Sequence, residues 1–104
     1  MPRNYSSEFI KSLKTMGVRD GIGVVLAKRC VKANIPTTLV SKLLGVSRQT
    51  VHAWFRGGKV SSERVQYLEA LIRIIDADLQ KGVLPLTNYK SIEAYYESLT
   101  SGPV

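Results

Sequence analysis

The sequence predicts an all-α fold, a compact bundle of about five to six helices, on three observations. Apolar residues recur every three or four positions through most of the chain, which is the periodicity of amphipathic helices. Glycine, proline and serine interrupt this periodicity at short intervals and can supply turns and caps. No segment stands out with the alternation of a strand. Because the chain has 104 residues, we expect residues 1–104 to form a single domain.

Two amphipathic segments precede residue 36. Tyr5, Phe9, Leu13 and Met16 recur at helical spacing after two serines, which predicts a first helix that runs to Gly17. Asp20 is placed to cap a second helix, and Gly21 and Gly23 weaken its first turn. The apolar stripe predicted for this helix consists of Ile22, Val25, Leu26, Cys30 and Ala33, with Lys28, Arg29 and Lys32 facing water.

The next block, Thr37 to Arg56, has the pattern of two short helices joined by a sharp turn. In its first half the residues at helical spacing are Leu39, Val40, Leu43 and Leu44. Gly45 permits a left-handed cap at the end of this helix, and Ser47 can cap the helix that follows. The block therefore predicts a helix-turn-helix, in which two helices are held at a fixed angle.

The second helix of this block has two different faces. Val51, Trp54 and Phe55 share one face and are predicted to lie in the core. The opposite face is polar and nearly flat, and it consists of Gln49, His52, Ala53 and Arg56. A helix with such an outward face suits the major groove of DNA, where base edges distinguish all four base pairs.

Two further helices are expected after the Gly57-Gly58-Lys59 break. The first begins at Ser61 or Ser62 and runs to about Lys81, with an apolar stripe made of Val65, Leu68, Ile72, Ile75 and Leu79 and widened by Tyr67, Leu71 and Ile74. We expect this stripe to pack within the domain, although a short dimer seam is the alternative. The last helix opens at Thr87 or Asn88, and its apolar side carries Tyr89, Ile92, Tyr96 and Leu99.

Charge is distributed unevenly along the chain, which has a net charge of +7. Residues 1–59 contain eleven lysines and arginines against two acidic residues, whereas residues 60–104 contain four against six. A polyanion would therefore be attracted to the first part of the chain, and its binding would depend strongly on salt.

From Ile22 to Ile75 the chain resembles the lambda-repressor-like, Cro/XRE-type DNA-binding domains of phages and bacteria. The match includes the turn glycine Gly45 and the apolar positions Val40, Leu44, Val46, Val51 and Trp54. Ser41 stands where alanine is usual, and Thr37 stands where the family often has a phosphate-contacting glutamine. The resemblance implies a lambda-repressor-like core within residues 18–82. Residues 83–104, which it does not cover, form a C-terminal extension that is a possible dimerisation element.

The expected DNA contacts fall into two groups. The candidates for base contacts are Arg48, Gln49, Thr50, His52 and Ala53, with glutamine suited to adenine and arginine to guanine. The candidates for phosphate contacts are Thr37, Thr38, Lys42, Ser47, Arg56 and Lys59. A further set is either a second phosphate-facing surface or a solvated face: Lys11, Lys14, Arg19, Lys28, Arg29 and Lys32.

We expect a sequence-specific transcriptional regulator that binds double-stranded DNA in the major groove with helix 47–56, as a homodimer formed partly by the apolar tail, residues 83–99. The alternatives are a terminase-like or recombination accessory protein, and an antitoxin or host-enzyme inhibitor that docks through its C-terminal helices. No catalytic constellation, cofactor or small-molecule substrate is expected, and His52, the lone histidine, indicates no metal site.

The chain is also expected to be cytoplasmic and without a membrane span. Cys30 is its single cysteine, so an intramolecular disulfide is excluded and a reducing compartment is indicated. We expect this cysteine to be a small buried apolar residue. The most apolar run, Ile22 to Leu26, is far too short for a bilayer or a signal-peptide core.

Overall fold

A computed structural model of the protein describes residues 5–16 and 21–100. The described chain is all-helical and compact, with a radius of gyration of 13.1 Å, which confirms the predicted fold class. Its six helices are α1 (Ser7–Lys14), α2 (Ile22–Ala33), α3 (Thr37–Leu44), α4 (Arg48–Phe55), α5 (Ser62–Gln80) and α6 (Tyr89–Thr100). The central helix is α2, which packs against α1, α4 and α5, while α3 packs against α4 and α6.

The first two helices depart from the predicted boundaries. Ser6 caps α1, but the helix ends at Lys14 rather than running to Gly17 as predicted, and Gly17 lies outside the described residues. The N-cap residue of α2 is Gly21, where the sequence predicts Asp20, and Asp20 also lies outside the described residues. Gly21 has a φ of 107°, a conformation that favours glycine.

The buried face of α2 is wider than the predicted stripe. Its fully buried positions are Val24, Leu26, Ala27, Cys30 and Ala33, whereas Ile22 and Val25 are only partly buried. Gly23 is buried because α2 meets the end of α4 there, and a Cβ atom at this position would lie 2.4 Å from the carbonyl oxygen of Trp54. Gly23 is therefore needed for helix packing, which helical periodicity alone does not indicate.

Two basic residues of α2 do not face water as predicted. The Nε atom of Arg29 donates to a carboxylate oxygen of Asp76 in α5 at 2.7 Å. The ammonium group of Lys28 donates to the backbone carbonyl of Met16. Both side chains are half-buried, because α2 lies in the middle of the bundle and α1 and α5 flank it.

The turn between α3 and α4 forms as the sequence predicts. Gly45 is in the left-handed conformation with a φ of 67°, and the amide of Val46 donates to the carbonyl of Ser41. The Ser47 hydroxyl accepts a hydrogen bond from the backbone amide of Thr50 at 3.1 Å and so caps α4. Both predicted devices of the turn are confirmed.

Aromatic rings join α1 to the end of α4. Phe55 is fully buried, and its ring centroid lies 6.4 Å from those of both Tyr5 and Phe9. The Tyr5 hydroxyl donates to the carbonyl of Ile35 at the end of α2. Cys30 is fully buried, as expected, and burial raises the pKa of its thiol, which disfavours the reactive thiolate.

The apolar tail is used inside this fold. Leu84, Leu86 and Tyr95 are buried, and Ile92, Tyr96 and Leu99 pack against the core at partly exposed positions. The amide of Leu86 donates to the carbonyl of Ala33 at 2.9 Å, and the side-chain amide of Asn34 donates to the carbonyl of Leu86 at the same distance. The sequence predicts Tyr89, and not Tyr95, on the apolar side of α6, whereas Tyr95 is buried in the structure. The side chain of Tyr89 lies outside the described structure.

The stripe of α5 packs within the domain, as expected. Leu68, Leu71 and Ile75 are buried in the core. The two aspartates of α5 accept hydrogen bonds from other helices, Asp76 from Arg29 and Asp78 from the Tyr95 hydroxyl. Tyr67 and Ile74 remain 56% and 40% exposed, so they are not needed to close the bundle.

Candidate nucleic-acid interface

The outward face of α4 carries the side chains that were predicted to contact bases. Arg48, Gln49, His52 and Ala53 are all exposed, and Val51, Trp54 and Phe55 anchor the other face in the core. Among the described residues, these outer side chains make no hydrogen bond or ion pair that would divert them from a ligand. The helix therefore presents donors and acceptors from a rigid support.

Thr50 and Ser47 differ from the other candidates. Thr50 is half-buried, and its hydroxyl lies 2.9 Å from the Ser47 hydroxyl. Ser47 also accepts the amide hydrogen of Thr50, so both hydroxyls belong to the cap of α4. This cap holds the first turn of α4, and it leaves each hydroxyl with less hydrogen-bonding capacity for DNA than a solvated side chain has.

The candidates for phosphate contacts lie on two sides of α4. Arg56 is the C-cap residue of α4 and is exposed, and Lys59 is exposed three residues later. Thr37 and Thr38 lie in the first turn of α3, half-buried and exposed respectively. The structure thus brings positive side chains to the far end of α4 and hydroxyls to the start of α3.

Lys42 lies against the C-terminal helix. Its ammonium nitrogen is 5.7 Å from the centroid of the Tyr96 ring, which is within the range of a cation–π contact. A cavity of about 140 Å³ opens between α3 and α6, and Lys42 and Thr38 line it together with Glu93 and Glu97. Of the predicted phosphate contacts, Lys42 and Thr38 therefore have acidic residues of another helix beside them.

The stretch of sequence that contains α4 carries positive charge and no acidic residue. No acidic residue occurs in the sequence between Asp20 and Glu63, a stretch that contains α2, α3, α4 and the turn after α4. Arg48, Arg56 and Lys59 are exposed within it. A phosphate backbone approaching α4 would therefore meet attraction along the whole helix.

The possible second phosphate surface is smaller than the sequence suggests. Lys28 and Arg29 are bonded within the bundle, and Arg19 lies outside the described residues. Lys11, Lys14 and Lys32 remain exposed. They lie on α1 and α2 rather than on the helix-turn-helix.

Sequence analysis missed one residue that supports the candidate interface. Arg64 in α5 donates from Nη1 to the carbonyl of Leu44 at 3.2 Å and so bonds to the last residue of α3. This bond satisfies a helix-end carbonyl and holds the turn between α3 and α4 to α5. Because the two residues are far apart in sequence and α5 has a solvated face of its own, periodicity carried no signal for this contact.

Comparison with protein-family models found no match for this chain. No curated protein and no solved structure matched it either. Among the described residues, no helix is both long and apolar enough to cross a membrane. The same residues contain no cluster of three histidine, cysteine or acidic side chains that could hold a metal ion.

Proposed function

We propose that the protein is a sequence-specific regulator of transcription, of phage or bacterial type, that binds double-stranded DNA by inserting α4 into the major groove. The observation that carries this proposal is the exposed, acid-free outer face of α4, anchored through Val51, Trp54 and Phe55. In this role the protein has no catalytic activity and needs no cofactor. It acts in the cytoplasm of a bacterial cell or of an infected host.

The dimensions of the interface suit this partner. An α-helix with its side chains is about 10–12 Å across, and the major groove of B-DNA is about 12 Å wide. Within the groove Arg48 and Gln49, in the first turn of α4, would contact bases, with His52 and Ala53 one turn further on. Arg56 and Lys59 would contact the phosphates beyond the end of the helix.

A homodimer is part of the proposal, because two copies of α4 on a palindromic site would raise both affinity and specificity. The tail, residues 83–99, packs inside its own domain, so it contributes less free apolar surface than its sequence suggests. In the part of the chain that the structure describes, the large apolar side chains exposed for a dimer contact are Tyr67 and Ile74 on α5 and Val83 after it.

The proposal is tested by selecting bound sequences from random duplex DNA at near-physiological salt. An enriched palindrome is expected, and the distance between its halves would give the spacing of the two copies of α4. Tight binding at low salt without any enriched sequence would contradict a sequence-specific regulator.

Replacing Gln49 by alanine should reduce affinity for the selected site by about 1–3 kcal/mol and relax the preference at one base pair. The amide of Gln49 can donate to and accept from an adenine edge at the same time, which alanine cannot do. Affinity for sites mutated at each base pair measures the effect. Gln66→Ala, an exposed glutamine on α5, is the matched control, and unchanged selectivity of Gln49→Ala would remove Gln49 from the base contacts.

Replacing Lys59 by alanine should weaken binding to all sequences about equally and reduce the slope of log affinity against log salt by about one unit. The reason is that one phosphate contact, with its released counterion, is lost. Arg56→Ala should behave in the same way. Lys81→Ala removes the same charge from an exposed residue after α5 and should leave the slope unchanged. An unchanged slope for Lys59→Ala would place this lysine away from the phosphates.

A further inference from the structure

A groove runs between α1 and α2, formed by residues outside the helix-turn-helix. Two adjoining cavities, of about 370 and 350 Å³, make up this groove, and Ile10, Lys14 and Val31 line both of them. Leu13 lines one cavity, and Lys32 lines the other. The groove is open to solvent along its length, since Ile10 and Val31 are only half-buried.

The floor of the groove is apolar. Ile10 and Val31 face each other from the two helices, and Leu13, which is 3% exposed, lies at the bottom. Ile10 and Val31 leave apolar surface in contact with water, which is unfavourable unless a partner covers it. Ile10 takes no part in the hydrophobic core, because α1 packs on the core through Leu13 and Phe9.

The rim of the groove is positively charged. Lys14 and Lys32 are exposed on opposite sides, and Lys28 lies near one end with its ammonium group bonded to the carbonyl of Met16. No acidic side chain of residues 5–16 or 21–100 lines either cavity. The groove therefore combines an apolar floor with unneutralised positive charge, and its ligand should combine apolar and negative groups.

Duplex DNA fits this combination poorly, because a phosphate backbone would cover the apolar floor without contacting it favourably. An amphipathic helix fits it well, because its apolar stripe can enter the groove while acidic side chains on either side of the stripe reach the lysines. From Lys28 to the C-cap residue Asn34 the α2 wall is about 9 Å long at 1.5 Å per residue, which is somewhat less than two turns of a helix.

We propose that the α1–α2 groove is a docking site for an acidic amphipathic helix of a partner protein. The partner helix places apolar residues at positions i, i+3 or i+4, and i+7 on Ile10, Leu13 and Val31. Its aspartate or glutamate residues flank this stripe and pair with Lys14 and Lys32. The site is distinct from the outer face of α4, so DNA and the partner can be bound by different helices of the same domain.

The full-length protein is used to select binders from a displayed library of random peptides of about 16 residues, or four helical turns. Enriched peptides are then synthesised with a fluorescent label and titrated with the protein and two double variants. Lys14→Glu/Lys32→Glu reverses the charge of the groove. Lys81→Glu/Lys90→Glu makes the same change of net charge at exposed positions elsewhere and serves as the matched control.

We expect enriched peptides with acidic residues around apolar positions spaced by three, four and seven. The groove variant should bind them about tenfold or more weakly, and the control variant within about twofold of the unmodified protein. A third variant, Val31→Asp, should lose binding without losing its helical circular dichroism.

Three results would overturn the proposal. The first is the absence of any enriched acidic amphipathic pattern. The second is an equal loss of peptide binding in both charge variants, which would indicate only long-range attraction. The third is a loss of duplex DNA binding by the groove variant as large as that of Lys59→Ala, with peptide binding unchanged, which would make the lysines a phosphate-contacting surface. None of these results depends on whether α4 binds specific DNA sequences.

Discussion

Replacing Phe55 by alanine should lower the free energy of unfolding by about 3–5 kcal/mol, the largest loss that we expect from a single substitution in this chain. The Phe55 side chain is fully buried at the end of α4 and is in ring contact with Tyr5 and Phe9 of the N-terminal segment. Its removal leaves a cavity at the junction of α1, α2 and α4. Since a domain of this size is stable by only about 5–15 kcal/mol, this loss is a large fraction of its total stability.

Urea denaturation followed by circular dichroism measures this loss. Phe9→Ala is the control, because Phe9 belongs to the same aromatic cluster but is only partly buried, and it should lose about 1–2 kcal/mol. The loss for Phe55 should exceed the loss for Phe9 by at least about 1 kcal/mol. Equal losses would mean that the end of α4 is not packed in the core as described.

Replacing Gly23 by alanine should lower the free energy of unfolding by about 2–3 kcal/mol, although alanine is the better helix former. The added Cβ atom would lie 2.4 Å from the carbonyl oxygen of Trp54 and 2.8 Å from its carbonyl carbon. Both are backbone atoms, so no side chain can rotate to make room. The substitution should force α2 and α4 apart, and it should weaken DNA binding because it displaces the helix that carries Gln49.

The control for Gly23 is Gly45→Ala. Gly45 has a φ of 67°, which is unfavourable for alanine, but no heavy atom lies within 4 Å of a Cβ atom placed there. Its substitution should therefore cost only the conformational penalty of about 1 kcal/mol. Thermal unfolding of the two variants compares the loss of stability caused by a steric clash, at position 23, with the loss caused by an unfavourable backbone conformation, at position 45. A Gly23→Ala protein as stable as the unmodified chain would contradict the close approach of α2 and α4.

The boundaries of α3, α4 and α5 followed closely from the sequence because their signals are local. The turn glycine, the serine caps and apolar spacings of three and four residues act within one or two helical turns. The C-terminal end of α1 was predicted too late, because Met16 continues the apolar periodicity although the helix stops at Lys14. Periodicity describes which side chains can share a face, and it does not describe where backbone hydrogen bonding ends.

For the candidate interface, the sequence predicted the side of α4 that faces solvent but not the surroundings of each residue. Gln49 and His52 are exposed, as the helical pattern requires once Val51 and Trp54 are buried. The cation–π contact of Lys42 with the ring of Tyr96 could not be predicted, because it depends on how α6 packs against α3. The role of α4 in DNA binding, the homodimer and the single-domain boundaries remain predictions.

By itself the sequence determined the helical class, the turn at Gly45 and the polar outer face of α4, because each of these depends on residues within a few positions of one another. The tertiary structure decided the need for glycine at position 23, the burial of Leu84, Leu86 and Tyr95, and the pairing of Arg29 with Asp76. It also decided that the apolar tail packs on its own core and that a lysine-rimmed groove lies between α1 and α2. The physical reason is that these features depend on the distances between helices, and many helix arrangements are compatible with the same local periodicity.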